Sequence, residues 1–447
     1  AHLHPYTNFA DIAEHGAVVM KEAAGVRVRD ERGREYIDAM AGLWCCDVGY
    51  GRLEIAEAIA EQARKLAFYH SFFGMATEPT IRLADRLKQL TPWPIARVFF
   101  GVSGSDANDT QIKLVWYYNN LRGKPEKTKI ISQRGGYHGT TMVTASMTGL
   151  DHLHGGFGLP LPGFLHVEVP HYYHGAREGE SEEAFATRLA EQLDQLIEDE
   201  GPQPVAAFFA EPVIGSGGMI VPPATYFDKI QAVLKRHEVL FAVDEVICGF
   251  GRTGQMFGSQ TFDLRPDLLI VAKQLTSAYF PLSAVLLNEE VYDGIRRAGE
   301  QYPVLGTGYT YSAHPVAAAV ALEVLDIYEE SALVDHAARV GAHLQQRLAT
   351  LGEHPLVGEV RGVGMMAGIE LVKDKASHTN FEPTSMVARK WADLAAERGL
   401  LIRPLGNDSI GIAPPLIITE SEVNTMVDGL RASLDETLDW VSETSPQ

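Results

Sequence analysis

The chain has 447 residues, with 58 Asp and Glu against 38 Lys and Arg and a formal net charge of −20 at pH 7. An acidic chain of this kind has no basic excess with which to bind nucleic acid or an anionic membrane surface, so we expect neither as a partner. The length is sufficient for two domains around a large buried core.

Cysteine usage and hydropathy bear on the cellular compartment. The three cysteines include an adjacent pair, Cys45 and Cys46, which is poorly placed to form a disulfide. The sequence shows no signal-peptide pattern and no apolar run long enough to span a membrane, which predicts a cytoplasmic protein. Because the sequence begins at Ala1 and not at a methionine, we expect a short native stretch to precede it.

Short apolar runs alternate with amphipathic stretches through the middle of the chain. Six runs predict strands that are buried on both faces of a sheet: 98–100, 129–132, 205–210, 239–243, 268–272 and 284–287. Helical patterns such as 185–197 and 226–237 fall between them. The pattern therefore predicts βα units and a mostly parallel sheet.

An anion-binding turn is predicted after the first of these strands. The segment RVFFGVSGSDANDTQIKL reads as a strand, a Gly/Ser loop and a helix from about Asp106. Ser103, Gly104 and Ser105 then offer hydroxyls and backbone N–H groups at a helix N-terminus, which favours bound negative charge.

Reactive or aromatic side chains follow three of the other strands. Strand 129–132 runs into a glycine turn with Tyr137 and His138, where an aromatic ring can lie flat on a planar ligand. Asp244 and Lys273 each follow the C-terminal end of an apolar run, where open α/β sheets place their ligand crevice. A carboxylate can keep a pyridine nitrogen protonated, and a partly desolvated amine can bond to an aldehyde. With the anion turn, this set predicts a pyridoxal phosphate (PLP) site.

The pattern changes after Pro315. A long helix leads away from the sheet, the stretch HPLVGEVRGVGMMAGIELV reads as a hairpin, and a helix follows around 386–397. The last helix begins with a capping box formed by Thr419 and Glu422. We predict a large α/β domain over 52–314 and a smaller α+β domain made of 1–51 and 315–447.

Taken together, these segments resemble the class III (omega) aminotransferases of the fold-type I PLP enzymes. The matching stretches are AGLWCCDVGYGR, FFGVSGSDANDTQIKL, GGYHGTT, FFAEPVIGSGGMIVPP, AVDEVICGFGRTG, VAKQLTSAYFPLSAV, GYTYSAHPVAAAVAL and LIRPLGNDSIGIAPPLIIT. The resemblance covers nearly the whole chain. It implies an α/β fold whose large domain holds a mostly parallel seven-stranded sheet, beside a smaller α+β domain.

The resemblance also implies roles for single residues around the cofactor. Lys273 bonds to the cofactor and moves protons, while Asp244 pairs with the pyridine nitrogen. Val246 packs on one face of the ring and Tyr137 stacks on the other. The remaining implied cofactor residues are Ser103, Gly104 and Ser105 at the phosphate, His138 and Glu211 near the ring, and Tyr309 and Thr310, of which Thr310 reaches the phosphate of a neighbouring subunit.

Three positions depart from the family pattern. Relatives that act on ornithine or GABA carry a glutamate where this chain has Ser216. That change resembles the branch that transfers an amino group from a primary amine or omega-amino acid to pyruvate, in a ping-pong reaction through pyridoxamine phosphate. Asp106 stands in place of a common Glu and Gln274 in place of a common Gly, which bears on substrate fit more than on chemistry.

For the substrate, the resemblance implies that Arg403 binds the carboxylate of the keto acid and moves aside for apolar amines. The other expected pocket residues are Trp44, Phe72, Tyr137, His152 and Ser216. A transaminase specific for diamines or for β-alanine stays open as an alternative. The expected assembly is a homodimer with shared active sites, with a tetramer of such dimers also open.

Two other classes of protein are alternatives to this interpretation. The motif GFGRTG, from Gly249 to Gly254, formally fits the GxGxxG of nicotinamide-dependent oxidoreductases. That motif opens a helix directly after a strand, whereas the following QMFGSQ has no helical periodicity. A non-catalytic PLP-binding regulator is disfavoured because the sequence has no helix-turn-helix segment or basic arm.

A metal site is a further alternative, raised by four histidines of a loop-rich region: His152, His154, His171 and His174. No carboxylate or cysteine shares a helical ligand spacing with them. Solvated or hydrogen-bonded loop histidines are therefore favoured, and we expect no metal.

Overall fold

The computed structural model describes residues 2–201, 203–297, 301–302, 304–406 and 408–444. The strands of this part are β1 (Met20–Ala24), β2 (Arg27–Asp30), β3 (Glu35–Asp38), β4 (Ile95–Gly101), β5 (Lys129–Gln133), β6 (Phe164–Val167), β7 (Val205–Ala210), β8 (Leu240–Asp244), β9 (Leu268–Val271), β10 (Ser283–Asn288), β11 (Val357–Val363), β12 (Met366–Leu371), β13 (Leu400–Leu401), β14 (Arg403–Leu405) and β15 (Ser409–Ile412).

The α-helices of the same part are α1 (Phe9–His15), α2 (Ala41–Trp44), α3 (Leu53–Leu66), α4 (Glu78–Leu90), α5 (Gly104–Leu121), α6 (Met142–Met147), α7 (Tyr172–Gly175), α8 (Glu182–Glu200), α9 (Tyr226–Arg236), α10 (Gly258–Thr261), α11 (Glu289–Arg296), α12 (Pro315–Glu330), α13 (Leu333–Ala349), α14 (Val387–Glu397) and α15 (Glu420–Thr444). No helix among the described residues is both long and apolar enough to cross a membrane.

The central sheet has seven strands in the order β4-β10-β9-β8-β7-β5-β6, which confirms the predicted size. Five neighbouring strands, from β9 to β6, are parallel, while β10 pairs antiparallel with both β4 and β9. All six predicted strands are present, with ends shifted by up to three residues. The seventh strand, β6, was not predicted because it has only four residues and is mostly half-buried, so it lacks the apolar run of a central strand.

Helices on both faces explain why the central strands are apolar throughout. On β7, Phe208 packs with α8 and α9 on one face, and Phe209 packs with α5 on the other. Successive side chains of a strand point to opposite faces, so a strand covered on both sides buries every residue. The whole of β7, β8 and β9 is buried accordingly.

The prediction for α12 needs a correction. The helix is long, as predicted, but it does not lead away from the core. It packs against α3 and α4, and eleven of its sixteen residues are buried. A helix that is apolar on most of its circumference has no face suited to water, which explains the burial.

Two smaller sheets combine distant parts of the chain. The first has the order β1-β2-β3-β13, with β13 parallel to β3, so the N-terminal segment pairs with the C-terminal part. The second has the order β11-β12-β15-β14 and includes the predicted hairpin. At the start of α15, Thr419 and Glu422 bond to each other's backbone N–H, as the capping box predicts. The division into two domains stays a prediction.

Candidate active site

The parallel strands place Asp244 and Lys273 at one edge of the sheet. Asp244 ends β8 opposite Ile270 of β9, and Lys273 follows the end of β9. Both side chains line a cavity of about 380 Å³. The other predicted cofactor residues on its wall are Ser103, Gly104, Ser105, Tyr137, His138 and Val246.

A capped helix start forms the anion end of this cavity. Ser103 is the N-cap of α5, which begins at Gly104, two residues earlier than predicted, because Asp106 closes a capping box. The Asp106 carboxylate accepts hydrogen bonds from the N–H groups of Val102 (2.8 Å) and Ser103 (3.1 Å). The next N–H groups of a helix have no partner inside it, so Gly104 and Ser105 present donors suited to a phosphate.

At the opposite end, the Asp244 carboxylate is buried among hydrogen-bond donors. One oxygen accepts from Asn108 Nδ2 at 2.8 Å and lies 2.9 Å from His138 Nδ1, and the other accepts from the Val246 N–H at 3.1 Å. Sequence reasoning missed Asn108, although it lies inside a quoted stretch. Its only signal was its place one helical turn after the anion turn. A buried carboxylate of this kind suits a protonated pyridine nitrogen, so the site fits PLP.

Lys273 has an unusual backbone and environment. Its φ is +39°, in the left-handed region that non-glycine residues seldom adopt, and it begins a 3₁₀ turn over Lys273–Thr276. Burial lowers the pKa of its amine below the ordinary 10.5, with nearby negative charge opposing the shift. A lower pKa makes the neutral, nucleophilic amine available closer to neutral pH.

Glu211 holds the loop that carries Tyr137. One of its oxygens accepts the Tyr137 N–H at 2.9 Å and the other accepts the Gly215 N–H at 3.0 Å. Burial raises the pKa of the Glu211 carboxyl to about 7. Glu211 is not part of the cavity wall, so the structure gives it a supporting position behind Tyr137.

Val246 packs directly against the anion turn. A Cβ added at Gly104 would lie 3.1 Å and 3.3 Å from the two Val246 methyl carbons. A side chain at Gly104 would therefore displace Val246, which lines the cavity.

A second cavity of about 900 Å³ opens beside the first and shares Tyr137 and Lys273 with it. Of the predicted substrate residues, Tyr137, His152, Ser216 and Arg403 line it. Tyr6 also lies on its wall, with its hydroxyl 3.1 Å from that of Tyr137, and sequence reasoning did not identify it. Nothing in the local sequence around Tyr6 marks it as a pocket residue.

Arg403 lies over the face of Trp44. The guanidinium carbon is 4.0 Å from the centre of the indole ring, a favourable cation–π geometry. Trp44 itself is fully buried in this chain and lies against Arg403, so its place on the pocket wall stays a prediction. Burial lowers the pKa of Arg403, which still carries its positive charge. Among the described residues no carboxylate forms an ion pair with it.

The far wall of the larger cavity holds a network of charged groups. Arg361 Nη1 lies 2.6 Å from a Glu359 oxygen and 2.7 Å from a Glu370 oxygen. His171 Nε2 bonds to Glu359 at 2.8 Å, and His174 bonds to Glu370. Arg361 thus supplies the positive charge that the two carboxylates need.

The four histidines weighed for a metal site have different positions in the structure. His171 and His174 lie within 4.8 Å of Glu370, a carboxylate that no sequence spacing had connected with them. His154 Nε2 is 2.8 Å from the Thr148 carbonyl oxygen, whereas His152 is exposed. Three of the four are thus hydrogen-bonded, and the expected absence of a metal stays a prediction.

Three predicted site residues lie outside the walls of both cavities within this chain: Phe72, Tyr309 and Thr310. The Tyr309 hydroxyl donates to the Asp106 carbonyl oxygen at 3.3 Å, while Thr310 is exposed. A Cβ added at Gly308 would lie 3.1 Å from the Phe72 ring. The chain alone does not bring these three residues to the cofactor cavity.

The GFGRTG segment is a turn. From Gly249 to Gly254 no helix forms, and the short α10 begins four residues later. A dinucleotide fingerprint requires a helix directly after its strand, so the segment lacks that geometry.

The fold and the site together define a fold-type I PLP enzyme, and comparison with known proteins is consistent with this. The family described as aminotransferase class-III matches residues 9–434. Diaminobutyrate–2-oxoglutarate transaminase of Halomonas elongata is 43% identical over 442 residues, covering 98% of this chain and 94% of that protein. Gamma aminobutyrate transaminase 1, mitochondrial, of Solanum lycopersicum is 43% identical over 446 residues, covering 100% and 86%.

Solved structures agree. The omega transaminase from Pseudomonas jessenii in complex with PMP has a TM-score of 0.97 and 48% identity, covering 100% of this chain and 98% of that one. The chain therefore belongs to the class III aminotransferases and is a PLP-dependent transaminase.

Proposed function

We propose that this enzyme transfers an amino group from a primary amine or omega-amino acid to pyruvate. The observation that carries the proposal is the position of Arg403, on the wall of the cavity that Lys273 shares, stacked on Trp44 and without a carboxylate partner in the described part of the chain. An unpaired guanidinium there is available for the single carboxylate of the acceptor.

The chain's own residues divide the handling of the cofactor between them. Ser103, Gly104 and Ser105 would hold its phosphate, Asp244 its pyridine nitrogen and Lys273 its aldehyde carbon. When bound, PLP supplies an electron sink for the carbon that carries the amino group. Lys273 Nζ, lowered in pKa by burial, takes up a proton and delivers it within the same cavity. The donor product leaves before the acceptor enters, which is a ping-pong order.

The two walls of the substrate cavity favour pyruvate over a dicarboxylic acceptor. Arg361 is bonded to Glu359 and Glu370, so its charge is already neutralised. Arg403 is then the only arginine on the wall formed by the described residues that lacks a carboxylate partner. One free guanidinium matches one carboxylate. The small neutral Ser216 adds no charge that would compete for it.

The proposed donors agree in class with the relatives, whose names refer to gamma-aminobutyrate and diaminobutyrate. A donor without a carboxylate offers Arg403 no partner. The guanidinium must then move aside or stay solvated. Arg403 begins the three-residue edge strand β14, whose backbone pairs with β15, so the movement would be that of its side chain. A transaminase specific for diamines or for β-alanine stays the alternative.

We also propose a homodimer with shared active sites. Exposed apolar side chains surround the segments of Phe72 and Thr310: Phe73 is 91% exposed, Val304 71% and Tyr311 61%. The Phe68 and Tyr311 rings lie 5.7 Å apart, so the two segments form one surface. Exposed apolar patches of this kind are typical of subunit interfaces. A second copy would bury it and bring Thr310 to the neighbouring phosphate site, and pairs of dimers would give a tetramer.

A donor panel tests the proposal. Purified enzyme is given monoamines, diamines, β-alanine and gamma-aminobutyrate, each with pyruvate or with 2-oxoglutarate, and the Lys273→Ala variant serves as a blank. We expect turnover of several omega-amines with pyruvate and a much higher KM for 2-oxoglutarate. Equal or better use of 2-oxoglutarate would contradict the argument from the single free arginine.

A further inference from the structure

The cofactor cavity has a nucleophile that transamination does not use. Cys45 is half-buried and lines the 380 Å³ cavity together with Lys273 and the anion turn. The other cysteines differ in position. Cys46 is buried beside it, and Cys248 is completely buried in the core away from the cavity.

The surroundings of Cys45 bear on the ionisation of its thiol. Its sulfur accepts a hydrogen bond from the Leu43 N–H at 3.4 Å, and its thiol can donate to the Ala41 carbonyl oxygen at 3.5 Å. Both sulfurs lie beside Gly42, because a Cβ added there would be 3.6 Å from Cys45 Sγ and 3.2 Å from Cys46 Sγ. The positive charge of Lys273 favours the thiolate form of Cys45. Reactive cysteines occur in partly exposed, electropositive surroundings of this kind.

We propose that Cys45 is a modification site for soft carbon electrophiles of the Michael-acceptor class, and that the bound cofactor protects it. The sulfur bonds to the β-carbon of the acceptor, and the thiol proton passes to solvent. The acceptor's α-carbon takes a proton from solvent, so nothing is oxidised and no group leaves. The adduct occupies the cavity that holds PLP, so modification and cofactor loading exclude each other.

The ionisation of the three thiols supports the order of reactivity. Interaction with the neighbouring Cys46 thiol lowers the pKa of Cys45 to about 7. The same pairing raises the pKa of Cys46, and burial raises the pKa of Cys248. The thiolate is the nucleophile, so Cys45 is the reactive thiol of the three. This inference depends on the cofactor cavity and is independent of the donor and acceptor.

N-ethylmaleimide is the probe. Holoenzyme with PLP and protein freed of PLP are labelled in parallel, and peptide mass spectrometry follows Cys45, Cys46 and Cys248 over time. We expect Cys45 to react about tenfold or more faster than Cys248 in the PLP-free protein, because it is more accessible and more ionised. Saturating PLP slows Cys45 in proportion to the free fraction, roughly a hundredfold at 100 times Kd. The labelled protein no longer regains cofactor absorbance when PLP is added.

Two variants and a titration sharpen the test. Cys45→Ser abolishes the PLP-sensitive label, and the matched Cys248→Ser leaves it unchanged. If removal of PLP unfolds the chain, all three cysteines react together. PLP is therefore also titrated upwards on intact holoenzyme. There, labelling of Cys45 must fall with added PLP, and labelling of Cys248 must not. Labelling of Cys45 that ignores PLP, or first labelling of Cys46 or Cys248, overturns the proposal. So does normal uptake of PLP by the labelled protein.

Discussion

Replacement of Arg403 by alanine separates the two substrates of the proposed reaction. A charge-assisted bidentate pair with a carboxylate contributes about 1.5–3 kcal/mol, so we expect kcat/KM for pyruvate to fall roughly 10- to 100-fold. A monoamine donor has no carboxylate and loses no such pair. The stacking of Arg403 on Trp44, with 4.0 Å between guanidinium and ring centre, is lost for both substrates alike. The ratio between the two effects therefore isolates the carboxylate interaction.

The two half-reactions are measured separately by stopped-flow absorbance of the bound cofactor. Enzyme in the PLP form is mixed with an uncharged aryl-alkyl amine, and enzyme in the amino form is mixed with pyruvate. Arg403→Lys provides an intermediate case, since it keeps the charge but not the planar fork of donors. We expect its loss with pyruvate to be smaller than that of alanine, and its donor half-reaction to be unchanged.

Arg134→Ala is the matched control. Arg134 is a half-exposed arginine that lies 3.8 Å from Asp151, itself a residue of the cavity wall, and 3.6 Å from Glu168. Its removal changes the net charge by the same amount, so it reports on general attraction of an anion to the protein. An equal loss for amine and pyruvate in Arg403→Ala, or an equal loss for pyruvate in Arg134→Ala, would refute the role of Arg403.

Four further predictions concern the cofactor and the assembly. Lys273→Ala should abolish turnover but keep the fold and hold PLP without a covalent bond, as dialysis and borohydride reduction would show; turnover at the parent rate would exclude Lys273. Asp244→Asn should slow the donor half-reaction by roughly 10²-fold or more through loss of charge stabilisation, and unchanged stopped-flow rates would contradict this. Because burial lowers the pKa of Lys273, the pH profile of covalent PLP capture by the cofactor-free protein should inflect below the ordinary 10.5; an inflection at or above it would count against the buried amine. Sedimentation should give an active dimer or tetramer at micromolar concentration, and an active monomer would disprove shared sites.

The parts of the protein that could be predicted are those encoded in short stretches. The runs before Asp244 and Lys273 are uniformly apolar because helices cover both faces of the sheet. The C-terminal ends of these runs directly predicted the edge of the sheet at which a ligand binds. The capping box of α15 needs only Thr419 and Glu422, three residues apart, and the structure confirms it.

The parts that could not be predicted depend on contacts between distant segments. The bond from Asn108 to Asp244 joins residues 136 positions apart, and the pair of His174 and Glu370 joins residues 196 apart. The stacking of Arg403 on Trp44 likewise joins two distant segments, so no local pattern around either residue could show it.

Helix α5 connects the two ends of the cofactor cavity. Its first turn holds the anion site, and Asn108, three residues after Ser105, donates to Asp244 at the ring end. At 1.5 Å of rise per residue, these two points are separated by about 4.5 Å along a rigid helix. The separation is fixed further because Asp106 ties the helix start to β4 and to β10, where the Ser283 hydroxyl donates to it at 3.0 Å. A shorter carboxylate at position 106 than the glutamate common in the family thus still anchors the turn.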